Sequence, residues 1–396
     1  MNFEVLYSAA HAEFSDTEPL GGGKAVADYL IREWRKSEPF ELTVLSPSSL
    51  VCLELPKQLA ELSERQYARF CRQFEYATTD KILKRDPQRC VVLSNDISEG
   101  PDFGTLGKRG YKIVTIFHVD VVEYFTRFYV SSLIRPETTA RFRWFRLMPD
   151  VLRLVFEKQY ECVRYSARIV VPSAPMREVI LRCYPWCPPE NIVVLPWGNV
   201  AEQDSARAAA TRYQVDVADD EIVIMTLSRL SPEKGIERLL AALPRVDAHA
   251  RKLRVFICGA PAYMKGRAYE RKLRRLAAKV RTAEVEFTGH VIGGKKAVLL
   301  QRADIFVSPS KHESYGLTIA EALAAGCRVI SHHHYGAEGT VVDCSRPKAL
   351  AAAISAMIAD GRTKKTGDAA RRSPAAERLA ALLVATMECP VPPARR

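Results

Sequence analysis

Short runs of β-branched and apolar residues recur along the chain with helix-patterned stretches between them, and this alternation constrains the fold most. In the first half the runs are Phe3 to Tyr7, Leu42 to Leu45, Cys90 to Leu93, Lys112 to Phe117, Ile169 to Val171 and Ile192 to Leu195. Strands spaced by helices have to be joined by crossover connections, so they build parallel sheets from βαβ units. After Pro196-Trp197-Gly198-Asn199 the text turns polar and alanine-rich from Glu202 to Gln214. The pattern then restarts at Ile222 to Leu227, Leu253 to Cys258, Val285 to Thr288, Asp304 to Val307 and Arg328 to Ser331. The fold class expected is α/β, with two doubly wound Rossmann-like domains facing across a cleft. Their boundaries fall at 1–198 and 199–373, the charged stretch Gly361 to Ser373 reads as a linker, and a last segment, 374–396, holds an alanine/leucine helix from Ala375 to Met387 and a Pro/Arg tail. A chain of 396 residues accommodates two such domains.

Composition excludes several alternatives. Hydrophobic residues make up 47% and charged residues 26%, which is the balance of a globular chain rather than a disordered or collagen-like one. The first residues, Met1 to Ser8, lack a basic segment followed by an apolar one and a cleavage site, and nowhere do about eighteen apolar residues run together. A cytoplasmic location is expected. The ten cysteines are dispersed without a CxxC pair, as reduced thiols would be. The formal charge of +12 favours an anionic partner without choosing among phosphate, acidic lipid and nucleic acid.

In doubly wound sheets ligands bind beyond the carboxyl ends of the strands, so the loops after each strand carry the functional candidates. The densest is Ser308-Pro-Ser-Lys-His-Glu313-Ser-Tyr315-Gly316-Leu317, which leads into a helix that stops at Gly326. Backbone N–H groups at Tyr315, Gly316 and Leu317 would point out at the positive end of that helix, a site for phosphate or sugar oxygens. Glu313 lies in the loop and Glu321 just over one turn inside the helix, so one carboxylate can reach a sugar and the other a ribose diol. The alternative is a solvated pair on an ordinary βα loop. The second candidate is Arg229-Leu-Ser-Pro-Glu-Lys234-Gly235, directly after a strand; a guanidinium fork and a compact ammonium on one loop suit a diphosphate. A surface loop with common charges would look the same, but both loops emerge at strand ends in the same half.

Taken together, Arg229 and Lys234 in an R-x-x-x-E-K-G context and Glu313 and Glu321 in an E-S-Y-G-L-x-x-x-E context resemble the donor-binding motifs of glycosyltransferase family 4, retaining enzymes of the GT-B fold. The resemblance covers most of residues 190 to 331, including Ile192 to Gly198 as the linker strand and Phe287-Thr288-Gly289-His290-Val291 as the nucleobase loop. It implies a nucleotide-diphosphate sugar, UDP-linked by preference, whose diphosphate is neutralised by Arg229 and Lys234. Glu313 would approach the donor sugar, Glu321 the ribose hydroxyls, and the turn Gly289, His290, Val291 the base through its main chain. It also implies no cofactor and no metal, since fixed cations stand in for a divalent ion on the leaving diphosphate. The last helix is expected to return to the first domain.

The first domain adds weaker candidates. Gly22 and Gly23, in the run Gly21 to Gly23, would let a helix start approach a phosphate, as a family glycine loop does. His118, at the end of the strand Lys112 to Phe117, resembles the family's active-site histidine near the donor sugar, and Asp120 is either an acceptor contact or a local cap. The run His332-His333-His334 invites a metal assignment, but neighbours on an extended segment point to alternating faces. From Arg135 to Arg168 arginines interleave with aromatics, either as the solvated face of core helices or as an element touching an anionic membrane. One departure from the family stands out: after Ser331 the sequence moves quickly to Pro347, where a longer glycine loop and a further short strand are expected.

The function expected is therefore a retaining, metal-independent glycosyltransferase that moves a sugar to a hydroxyl acceptor, which could be a small molecule, a glycan or a lipid-linked one. The alternatives are the same chemistry on a lipid-linked acceptor with peripheral membrane contact, and a non-catalytic GT-B protein that binds nucleotide sugar or polysaccharide. Nucleic acid is not an expected partner, because the arginines come with no reader motif.

Overall fold

The computed structural model describes residues 3–12, 21–50, 62, 64–120, 122–123, 135–141, 150–201, 213, 215–218, 220–262, 266–361 and 373–389. The chain divides into two compact units, with the boundary between Trp197 and Gly198 and with the segment from Pro374 grouped with the first. The first unit's strands are β1 (Glu4–Ser8), β2 (Glu41–Leu45), β3 (Cys90–Ser94), β4 (Lys112–Ile116), β5 (Arg168–Val171) and β6 (Ile192–Val194). They pair in the order β2-β1-β3-β4-β5-β6, each pair parallel. β3 and β4 are buried at every position, which is why they appear in the sequence as continuous runs and not as alternating ones.

The helix Ala375–Glu388 belongs to this first unit. Trp34 Nε1 donates to the Ala376 carbonyl at 2.9 Å, and Ala376 N donates to Tyr29 Oη at 3.3 Å. Lys112, buried at the start of β4, donates its ammonium to the Met387 carbonyl. A buried lysine needs such an acceptor, so its placement ties the helix to the start of an inner strand.

The second unit repeats the plan with β7 (Ile222–Leu227), β8 (Leu253–Cys258), β9 (Glu284–Gly289), β10 (Ile305–Ser308), β11 (Arg328–Ser331) and β12 (Thr340–Val341), in the order β12-β11-β10-β7-β8-β9. All pairs are again parallel. Ile222 and Ile224 face one apolar layer with Leu239, Leu273 and Ile354, while Val223 and Met225 face another with Leu299, Ile319 and Ala322. Two-sided burial thus uses every residue of β7. β12 corrects the expectation of a segment too short for another strand: after Ser331 the chain turns and adds these two residues beside β11.

In each sheet the chain reverses its direction of growth once, between β1 and β3 in the first and between β7 and β10 in the second. Loops leaving such neighbours part to opposite faces and open a crevice at the strand ends. The second reversal brings together the loops that hold Arg229 and Glu313.

Candidate active site

Within the second unit, the loop after β7 and the loop after β10 are stitched together by their backbones. Lys311 N donates to the Glu233 carbonyl at 2.8 Å and Arg238 Nη1 to the Pro309 carbonyl at 3.2 Å. Gly235 sits at φ 62°, and a Cβ there would stand 2.5 Å from the Pro309 carbonyl oxygen. Glycine is required on both counts. This seam sets Lys234 Nζ 2.7 Å from Glu313 Oε1, with the two side chains only 13% and 19% exposed. Burial pushes the Glu313 carboxyl up, but the Lys234 charge and hydrogen bond, with smaller help from His334 and Ser310, hold it below the usual range. An ammonium has three donors, so Lys234 keeps capacity for a further oxygen. Arg229 Nη2 lies 4.0 Å from Glu233 Oε1, with a side chain 27% exposed.

Gly316, at φ 87°, caps the helix Leu317–Ala324. Ile319 and Ala320 are the first to donate to the Gly316 carbonyl, so the N–H groups of Leu317 and Thr318 precede the helical ladder and point toward a ligand position. The Tyr315 side chain serves the linker: its Oη accepts from Gly198 N at 2.7 Å. Glu321 is buried inside the helix, with Oε1 2.9 Å from Lys296 Nζ and Oε2 covered without a protein partner among the described residues. Such an acceptor suits a hydroxyl donor. At the end of β9, Gly289 adopts φ 71° and accepts from Gly259 N at 2.8 Å, His290 is exposed, and the Val291 side chain is 4% exposed in the apolar layer. Any base contact from Val291 is therefore left to its main chain.

In the first unit, His118, Asn95, Asp96 and His11 form a polar cluster at the ends of β1, β3 and β4. Asn95 Oδ1 accepts from Tyr7 Oη at 2.6 Å and lies 3.3 Å from His118 Nε2, while Asn95 Nδ2 donates to Asp96 Oδ2 at 2.9 Å. His11 Nδ1 lies 3.4 Å from Asp96 Oδ2 and His11 Nε2 3.7 Å from Glu99 Oε1. Burial alone would raise the Asp96 carboxyl, yet the charge and hydrogen bond of His11 bring it down to about 2. Burial lowers the His118 imidazole below its ordinary value, against the pull of Asp96. The ring lies beside Trp197, centroids 5.9 Å apart.

Gly22 and Gly23 open the helix Gly22–Ser37, and a Cβ on Gly23 would stand 3.3 Å from Asp96 Oδ1. Glycine here admits the Asp96 carboxylate against the helix start, an anion of the same sign as the phosphate expected at Gly23. Asp120 is likewise a cap: it is 1% exposed, and Oδ1 accepts from Glu123 N at 2.8 Å and Gln159 Nε2 at 3.2 Å. Its Oδ2 is covered and has no protein partner among the described residues. No local pattern marks Lys296, which arrives from the helix Gly293–Arg302, whereas Asn95 and Asp96 follow a strand end directly and are open to the same argument as Glu313. Much of the arginine-aromatic stretch, 142–149, lies outside the described residues. Among the described residues, no group of three metal-ligating side chains converges, the histidine run included.

Two parallel doubly wound units, the second with a crevice lined by cations and by helix N–H groups, are the architecture of the GT-B fold. Solved structures agree on the fold: Anabaena Alr3699/HepE in complex with UDP and glucose superposes with a TM-score of 0.60 at 16% identity, over 98% of this chain and 97% of that one. Residues 209–373, within the second unit, match the family model described as glycosyl transferases group 1. A D-inositol 3-phosphate glycosyltransferase of Geodermatophilus obscurus is 30% identical over 220 residues, 52% of this chain and 48% of the relative. A GDP-mannose-dependent monoacylated alpha-(1-6)-phosphatidylinositol monomannoside mannosyltransferase of Corynebacterium glutamicum is 36% identical over 140 residues, 34% and 35% of the two chains. The chain thus spans about half or less of the length of these curated relatives.

Proposed function

We propose that the protein is a retaining glycosyltransferase that uses a nucleotide-diphosphate sugar, UDP-linked by preference, and needs no metal ion. The observation that carries this is the seam between the loops after β7 and β10, which holds Arg229, Lys234 and Glu313 at one crevice beside the helix start at Leu317. As the bond from the anomeric carbon to the diphosphate breaks, charge grows on the leaving phosphate, and Arg229 and Lys234 are fixed cations that stabilise it. The acceptor oxygen bonds to the same face of that carbon, and its proton passes to the leaving phosphate oxygen, so no protein nucleophile is required. Glu321 Oε2 is the acceptor for a ribose hydroxyl, and the Gly289 turn takes the base through its main chain. His118 of the first unit is assigned to the donor sugar by resemblance, and the acceptor is a hydroxyl compound of open identity.

The test is binding and slow hydrolysis of UDP-, GDP- and ADP-sugars with EDTA present. Arg229→Ala is expected to lower turnover on the order of 10²-fold. Product of inverted anomeric configuration would refute retention, and loss of turnover with EDTA would refute metal independence. Binding of no nucleotide sugar would refute the donor site itself.

A further inference from the structure

The segment leaving β11 carries a side chain that the donor site described above does not use. Ser308 and Ser331 pair in the parallel register, and His332 N donates to the Ser308 carbonyl at 3.0 Å, so the chain after β11 leaves the sheet alongside the chain that leads to Glu313. Two contacts then clamp the segments together. Gly336 N donates to the Glu313 carbonyl at 3.3 Å, and a Cβ on Gly336 would stand 1.8 Å from the Tyr315 carbonyl oxygen and 2.7 Å from Gly316 N. His334, two residues earlier, is thereby fixed on the loop of Glu313.

The three histidines differ in what they face. His332 Nδ1 accepts from Cys344 N at 3.2 Å, and His333 is exposed. His334 has both ring nitrogens covered, with no protein hydrogen-bond partner for either among the described residues. The charged and titratable groups it feels are Glu313, Lys234, His332 and His333. Burial, reinforced by Lys234 and the two neighbouring histidines and opposed by Glu313, brings its imidazole down to about 4, so at neutral pH it carries no charge. A neutral imidazole offers one donor and one acceptor, and buried polar atoms in native proteins are nearly always paired. A phosphate oxygen can answer only the donor. A hydroxyl group can answer either nitrogen, and two hydroxyls can answer both.

We propose that His334 is a specificity-determining residue that binds hydroxyl groups of the transferred sugar beside Glu313. The proposal rests on the donor site assigned above and adds the part of the ligand that is read there: the sugar, not the diphosphate.

The experiment titrates wild type, His334→Ala and His334→Gln by calorimetry. The ligands are the free nucleoside diphosphates UDP, GDP and ADP, then the gluco, galacto and manno sugars of whichever nucleotide binds. Thermal melts of each variant report its folding. For His334→Ala the expected result is a nucleoside diphosphate Kd within about twofold of wild type and a discrimination between epimeric sugars reduced about tenfold or more. His334→Gln, which keeps a donor and an acceptor, should retain part of that discrimination. Unchanged discrimination in a folded His334→Ala, or a loss of free nucleoside diphosphate as large as the loss of sugar nucleotide, overturns this inference and leaves the donor site standing. A wild type that binds no nucleoside diphosphate overturns the donor site and this inference with it.

Discussion

Replacing Lys234 by methionine keeps most of the side-chain volume and strips the partner from Glu313. The two charged atoms are 2.7 Å apart and both side chains are more than four-fifths covered, so the carboxylate would be left largely desolvated. Breaking a fully buried pair costs about 3–5 kcal/mol, and the residual exposure here brings the expected cost at pH 7.5 to about 2–4 kcal/mol. At about 2–4 °C per kcal/mol for a domain of this size, melting should fall by roughly 4–16 °C. The sign of the pH dependence is the sharper test. In the wild type the folded Glu313 pKa is below the unfolded value, so its contribution is present above about pH 4.3 and is lost as pH falls through the folded pKa. In Lys234→Met burial acts without that charge and the folded pKa rises above the unfolded one. The variant then gains stability relative to wild type as pH drops from 7.5 to 5, by about 1.4 kcal/mol for each unit by which its folded pKa exceeds 5. Urea melts of both proteins at the two pH values measure it. In a Glu313→Gln background the lysine substitution should cost much less. A Lys234→Met penalty that is the same at both pH values, or the same in the Glu313→Gln background, would refute the reasoning.

Two further substitutions probe the packing around the sites. Gly336→Ala forces a methyl against the Tyr315 carbonyl, 1.8 Å from the ideal Cβ position, and should cost at least 1–3 kcal/mol by the usual scale of overpacking, ~1 kcal/mol more than Gly361→Ala, where the Cβ meets nothing within 4 Å and only the positive φ is strained. Differential scanning calorimetry of the two variants compares them; equal losses would show that the clamp is loose. Asp120→Asn keeps an Oδ1 acceptor for Glu123 N but removes a carboxyl that burial, above all, raises to about 6. Because that folded pKa lies above the unfolded one, the wild type loses stability as pH rises through about 6, so the variant should melt higher than wild type at pH 8 and alike at pH 4.5. A variant that is less stable at both would mean that the second oxygen has a partner it needs.

The strands were legible wherever burial is two-sided. Ile222 to Leu227 and Leu253 to Cys258 stand in the fold with the bounds their apolar runs set, because both faces of a central parallel strand are covered. Thr340–Val341 was not legible: two exposed residues carry no periodicity, and only pairing with β11 makes them a strand. The same division holds in the site. Lys234 and Glu313 could be placed together because both follow strands that the topology makes neighbours. Lys296 and His334 could not, since their arrival beside Glu321 and Glu313 depends on how a helix and a loop settle on the sheet, which local pattern does not encode. Asp120 shows the limit from the other side: its burial, and with it the choice between cap and acceptor contact, is a tertiary property.

The ion pairs at the second crevice bear on what the charge of +12 means. Arg229 faces Glu233, Lys234 faces Glu313, Lys296 faces Glu321 and Lys311 faces Glu237, so each of these four cations stands beside a carboxylate. Summed as point charges these eight groups cancel, and their field falls off within the distance over which salt screens. In the proposed donor site, attraction for a diphosphate would then come from directed donors: the Lys234 ammonium, the Arg229 guanidinium and the first N–H groups of the helix at Leu317. Directed donors select by geometry where net charge would gather any anion. The proposed site would hold neutral and anionic parts of one ligand side by side, with the sugar meeting an uncharged imidazole and the phosphate an ammonium, both of them neighbours of Glu313.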